Sequence, residues 1–374
     1  MRDGISRPRR LKAGDRVAAV SISWGGPELF PGVFDEGVRR FRECLGLELV
    51  EFPTARRPTA ALRADPRARA DDLNRAWRDP SIRAVICSIG GSDAIRMLEH
   101  LDLDAARADP KPFIGYSDAT NLLCLLAANG LPAFHGPALM SGFAQLGAFP
   151  EAAEEYRRAF FGDWPDPVPF PRWTDEYRGW GEGPDFGAVG EIRANGEGHV
   201  WLKRGARRSG RLWGGCVESL DGLNGTPYWP RGEFWDDVVL FLETSEDAPP
   251  PSLVKAWLRN FAIQGILGRA AGLLVARPKA YSSDGEAELR EAILDVVERE
   301  YPAPDLNVVV NLDFGHTDPR HILPLGIELE LDPEAGALRY LESPWMDSGA
   351  CRRRDCHGPG SNRGDAETRR KDRG

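Results

Sequence analysis

Between Lys111 and Ala128 an apolar run stops at a glycine and delivers a serine onto the start of a helix, which ties the chain to folds where strands and helices alternate. Phe113 and Ile114 read as a buried strand, 118–128 reads as a helix of leucines and alanines, and Gly115 permits the tight turn between them. Ser117 sits at the elbow, beside backbone N–H groups that have no partner within the helix. Those groups and the positive end of the helix dipole can stabilise an oxyanion when a serine attacks a carbonyl. Ser117 is therefore a candidate nucleophile, and a helix cap is the other role its position allows.

Strand and helix alternate on both sides of this elbow. A first strand lies within 11–21, a helix over 32–45, a strand over 47–52, a polar helix over 67–78, a buried strand over 84–89 and a further helix from 93 to 100. This pattern predicts an α/β domain with a mostly parallel sheet across 11–160, in which ligands bind at the carboxyl ends of the strands. From about 161 to 190 prolines, tryptophans and glycines crowd together without a hydrophobic period, which reads as a linker and a mobile loop. Strand-like pieces near Trp201, 210–213, 238–242, 272–276 and 306–311, with helices near 252–264 and 286–299, predict a second domain over 191–343. The remainder, 344–374, is polar and reads as a disordered tail.

The chain of 374 residues is long enough for two cores, and its 57 acidic against 48 basic side chains supply no positive field for a polyanion. Nucleic acid is excluded as a partner on that ground. No window approaches a membrane span and the first residues lack the apolar stretch of a secretory signal, so a cytoplasmic setting is expected. Of the six cysteines, Cys44, Cys87, Cys124 and Cys216 lie in apolar segments and suit burial as thiols. Cys351 and Cys356 with His357 form an incomplete zinc set, and no His-x-x-x-His pair occurs, so no metal and no cofactor are expected.

A serine needs a base. Among six histidines, His135 and His316 both follow strand-like or apolar segments, and His316 is preferred because it lies on a loop just past the buried strand ending near Asn311. Glu243, a carboxylate ending the apolar strand 239–243, is expensive to bury unless paired, and fits the group that orients the imidazole. Glu246 and Asp247 are its rivals. Gly90 and Gly91, at the end of the strand 84–89, allow backbone to approach a ligand, so the Gly91 N–H is a candidate oxyanion donor with that of Asp118 as the second.

Taken in order, the segments 11–17, 87–91, 114–118, 212–216 with 225–228, 242–244 and 315–316 resemble the LD-carboxypeptidase family of serine peptidases, including microcin C immunity peptidases that cleave peptidyl and aminoacyl adenylates. The resemblance implies a Rossmann-like N-terminal domain, of the flavodoxin or glutamine-amidotransferase type, and a swivelling β/α C-terminal domain. It implies Ser117, Glu243 and His316 as the triad, Gly91 and Asp118 as backbone donors, a small peptide or peptidyl-nucleotide substrate, and a homodimer. The segments 213–218 and 242–247 are closer to the immunity branch. There a tryptophan on a mobile loop stacks on the nucleobase, a role for which Trp180 is similarly placed and Trp173 competes; Glu218 is a further substrate contact. Cys216 stands where wall-recycling members carry asparagine, which disfavours a murein tetrapeptide as substrate. Ile22 stands where many members have proline. The expected function is thus a cytoplasmic, metal-independent serine carboxypeptidase or amidase acting on an adenylate-like substrate. The alternatives are a murein tetrapeptide carboxypeptidase and a non-catalytic small-ligand binding module.

Overall fold

The structure, a computed structural model, describes residues 5–346 except 179 and 182–184. Its first sheet contains β1 (Arg16–Val20), β2 (Glu48–Glu51), β3 (Ile82–Cys87), β4 (Phe113–Gly115) and β5 (Ala133–His135), all parallel. β6 (Arg172–Trp173) and β7 (Arg193–Ala194) form a small antiparallel pair of their own. The second domain supplies β8 (Val200–Lys203), β9 (Arg208–Cys216), β10 (Val238–Glu243), β11 (Gly272–Ala276), β12 (Asn307–Leu312), β13 (Leu323–Pro324), β14 (Glu328–Asp332) and β15 (Ala337–Tyr340). The sheet orders are β13-β5-β4-β3-β1-β2 and β15-β14-β9-β10-β11-β12-β8. In the second sheet β9 to β12 run parallel, with antiparallel strands at both edges.

The central parallel strands are mostly apolar because helices cover both faces of the sheet. β10 and β12 are buried at every residue. The helix Pro31–Leu45 turns Val33, Phe34, Val38 and Phe41 inward and ends on Gly46 in the left-handed conformation. As expected, Cys44, Cys87, Cys124 and Cys216 are buried free thiols. Cys351, Cys356 and His357 lie outside the described residues.

Three sequence expectations change. The second domain is not self-contained: β13 pairs antiparallel with β5 and so completes the first sheet. A two-residue strand has no periodicity to announce it. The tail does not begin at 344, because the Trp345 indole is fully buried against Phe134, Phe160 and Trp164 and donates to the Ala159 carbonyl. The helix expected over 93–100 is a tighter 3₁₀ segment, Ala94–His100, whose first N–H groups are held by the Asp118 carboxylate.

The two domains meet beside the serine elbow. Gly214 and Gly215 of β9 have positive φ, and a Cβ on Gly215 would fall 2.4 Å from Thr120 Oγ1, so glycine lets the helix Thr120–Ala128 lie directly on the second sheet. Thr120 Oγ1 accepts from the Cys216 N–H at 3.0 Å and fixes that contact.

Candidate active site

Ser117 follows β4 with φ of +59°, a left-handed conformation that costs a serine roughly 1–2 kcal/mol relative to glycine. Such strain persists only where the surroundings over-determine it. The surroundings are tight: a Cβ on Gly90 would meet Ser117 Cβ at 2.9 Å and Oγ at 3.0 Å. Gly91 has φ of +144°, and its neighbours are held by Ser23, whose hydroxyl accepts from the N–H groups of Ser92 and Asp93. Asp118 lies beside them, its carboxylate bound to the N–H groups of Asp93 and Ala94 and to Asn121 Nδ2. Asp118, the residue after Ser117, is thus fixed by its side chain. Gly91, Ser117 and Asp118 line one chamber of about 230 Å³ together with Glu218, Ser219, Glu246 and Asp247.

β10 ends at Glu243, and the loop after β12 brings His316 onto it: Nδ1 lies 2.6 Å from Glu243 Oε2. Gly315 allows this approach, since a Cβ there would fall 2.2 Å from the same oxygen. Glu243 also accepts from a second imidazole, His135 Nε2, at 3.0 Å through Oε1. His135 ends β5; the sequence offers it as a base second to His316, and the structure places it as a second partner of Glu243. Burial alone would raise the Glu243 pKa, but the charge of His316 and hydrogen bonds from both imidazoles hold it below the usual carboxylate range. Burial opposes a proton on His316, yet the charge and hydrogen bond of Glu243 and the hydrogen bond of Glu246 push it up to about 10.

The other face of the His316 ring gives the least expected contact. Nε2 lies 2.9 Å from Glu246 Oε2, so the imidazole is held between two carboxylates. Among the described residues no hydrogen bond joins Ser117 Oγ to the ring. Serine and imidazole instead face a common cavity of about 430 Å³, whose wall includes Trp24, Tyr177, Trp180, Arg63 and Lys279.

The Trp180 ring is stacked with that of Trp24, at 6.2 Å and 14°, and with that of Tyr177, at 6.1 Å and 15°. Trp173 lies elsewhere, beneath the guanidinium groups of Arg277 and Arg193. Of the glycines flanking Trp180, Gly179 lies outside the described residues. Glu218 faces the smaller chamber, but both its oxygens are engaged, Oε1 by the Ser245 N–H and Oε2 by the Cys216 thiol. Tyr116 packs its ring edge-on to His316 at 4.9 Å, and Arg320 lies over the Tyr116 ring while donating to the Tyr177 hydroxyl. The Ser141 hydroxyl bridges those of Tyr116 and Tyr177; of this network only Tyr116 lies in a segment the sequence singles out, 114–118.

Residues 17–136 match the LD-carboxypeptidase N-terminal domain and residues 209–331 the LD-carboxypeptidase C-terminal domain. A Vibrio cholerae protein carrying a carboxypeptidase name is 27% identical over 348 residues, covering 90% of this chain and 98% of its own. The Escherichia coli microcin C7 self-immunity protein MccF is 26% identical over 332 residues, covering 86% and 92% respectively. The solved structure of an MccF-like protein from Streptococcus pneumoniae in complex with AMP superposes with a TM-score of 0.77 at 27% identity, covering 87% of this chain and 98% of that one. No helix among the described residues is long and apolar enough to cross a membrane. With both domains present in order on one chain, this protein belongs to the LD-carboxypeptidase family and is a serine-type carboxypeptidase, a hydrolase.

Proposed function

We propose that Ser117, His316 and Glu243 act as a catalytic triad, with the N–H groups of Gly91 and Asp118 as oxyanion donors, in hydrolysing a peptidyl or aminoacyl adenylate-like substrate of the microcin C type. The observation that carries this reading is the convergence of a strained serine and a carboxylate-held imidazole on one cavity walled by stacked aromatic rings and two cations. The rings of Trp24, Tyr177 and Trp180 suit a nucleobase, and Arg63 and Lys279 suit the phosphate next to it. The Streptococcus pneumoniae relative bound to AMP supports that assignment.

In this scheme Glu246 swings away from Nε2 and the serine hydroxyl takes its place. Ser117 Oγ attacks the acyl carbon as its proton passes to Nε2; the tetrahedral oxyanion is held by the two N–H groups. His316 returns the proton to the leaving nitrogen, which departs, and an acyl ester of Ser117 remains. A water then gives a proton to His316 and attacks the ester, releasing the acid and restoring the hydroxyl. Glu243 keeps Nδ1–H oriented throughout and stabilises the imidazolium. The family's homodimer and a cytoplasmic setting are parts of the same proposal, tested by sedimentation and by cell fractionation.

The substrate test is to offer the purified protein an aminoacyl sulfamoyl adenosine and a murein tetrapeptide side by side. Hydrolysis of the first with kcat/KM at least about tenfold above the second is expected. Cleavage of the tetrapeptide alone would move the protein to wall recycling, and cleavage of neither, with no fluorophosphonate adduct, would leave a binding module.

The Glu246 contact yields a pH prediction. A base must be unprotonated, and at neutral pH an imidazole pushed up to about 10 carries its proton. Glu246→Gln removes one of the two charges that retain it, so the acid limb of the kcat/KM profile moves to lower pH. Activity near neutrality gains about tenfold for each unit of that displacement, and the gain disappears on the alkaline plateau. An unmoved acid limb would show that Glu246 does not hold the ring of the free enzyme and would contradict the contact.

A further inference from the structure

We propose that His199, Asp313 and His321 form a structural binding site for a borderline divalent cation such as zinc, away from the catalytic cavity, and that the ion would clamp the loop carrying His316. One donor atom from each of the three residues lies within 4.8 Å of the others, and His199 Nε2 is 3.9 Å from Asp313 Oδ2. Both imidazoles are buried, their side chains 7% and 2% exposed, and the Nε2 atom of each has no hydrogen-bond partner among the described residues. Two buried ring nitrogens without partners, beside one carboxylate, are costly unless something satisfies them.

The surroundings match what such an ion requires. Glu155 accepts from His321 Nδ1 at 2.8 Å, which fixes the ring and leaves Nε2 as the nitrogen available to an ion, the carboxylate–histidine pairing that orients metal ligands. The Phe170 ring stacks on His321 at 4.6 Å and its N–H donates to Asp313 Oδ2, while Arg277 takes Asp313 Oδ1 at 2.7 Å. Glu155 and Asp313 against Arg277 leave the surroundings one unit negative. Two imidazoles and a carboxylate at bonds of about 2.0–2.2 Å suit zinc, with water completing a tetrahedron; the donors need only draw together by roughly an ångström.

The placement gives the ion a task. Asp313 and His321 bracket the loop bearing His316, and the His321 N–H already donates to the Asp313 carbonyl at 2.6 Å. Glu155 belongs to the helix Pro150–Phe161 of the first domain, so the clamp spans the domain junction. Donors at 199, 313 and 321 share no short spacing, which is why the sequence pattern gave no warning of them.

The test uses the full chain carrying Cys351→Ser and Cys356→Ser, so that the tail thiols do not bind, dialysed against chelator and titrated with Co²⁺ and Zn²⁺. The expected result is saturable one-to-one binding, visible Co²⁺ bands of a four- or five-coordinate site, and a rise in Tm on adding Zn²⁺. His199→Ala, which removes the more exposed of the two imidazoles, should abolish the bands with the circular dichroism spectrum unchanged. Glu155→Gln should weaken affinity about 10–100-fold. Absence of saturable binding, or binding undiminished by both His199→Ala and His321→Ala, overturns the proposal and leaves a buried water as the bridge.

Discussion

Ser117→Ala is expected to lower kcat/KM by roughly four to six orders of magnitude while leaving the fold intact. Removing the hydroxyl removes the only covalent route the proposed scheme contains. The residual rate is what backbone donors and substrate binding supply on their own. Stability should scarcely change, because alanine carries the same Cβ and the same strain at φ of +59°. Ser117→Gly separates strain from chemistry: it should be as inactive as alanine yet more stable by up to about 1–2 kcal/mol, since glycine adopts that backbone freely. Steady-state kinetics with thermal unfolding of the three proteins makes the comparison. A Ser117→Ala enzyme within tenfold of the parent would reject the nucleophile.

The second large effect is at Glu243. Glu243→Gln should reduce kcat by about 10⁴-fold, the order found when a triad carboxylate becomes an amide. This carboxylate accepts from two imidazoles at once, His316 at 2.6 Å and His135 at 3.0 Å. A glutamine can present an oxygen to only one of them. The other ring faces an N–H₂ group and must reverse its tautomer, which for His316 directs the proton onto Nε2 where Ser117 needs an acceptor. The substitution also breaks a buried pair, at a cost on the order of 3 kcal/mol.

The same pair sets a pH dependence of stability. The unfolded imidazole titrates near 6.5, whereas folded His316 holds its proton up to about 10. Its contribution is therefore complete below 6.5 and lost as pH rises through about 10. Glu246, drawn down from 4.5 to about 2 chiefly by its hydrogen bond from His316, contributes above 4.5 and loses that contribution as pH falls toward 2. In Glu243→Gln the alkaline decline should flatten, which unfolding curves between neutral and high pH would reveal.

Much of this architecture can be read along the chain because its parallel strands are buried on both faces. The apolar runs at β3, β10 and β12 stand out for that reason, and the serine elbow follows from an apolar pair, a glycine and a leucine-rich helix. Glu243 was legible because a carboxylate closing a buried strand demands a partner. The bond of His135 to Glu243 was not, since it joins residues 108 positions apart and forms only when the domains dock. Glu246 reads as a solvated loop acid, and it is indeed 60% exposed; its grip on His316 depends on the path of the loop after β10 rather than on any pattern. Trp345 looks like part of a polar tail until Phe134, Phe160 and Trp164 are seen to enclose it.

The acyl ester on Ser117 is the species on which the proposed mechanism turns, and it can be trapped. Mixing the protein with an excess of aminoacyl sulfamoyl adenosine, quenching in acid within the first turnover and mapping the digest by mass spectrometry should find one aminoacyl group on the peptide containing Ser117, absent from Ser117→Ala. An adduct on another residue, or full turnover with no adduct in the wild-type protein, would contradict the mechanism.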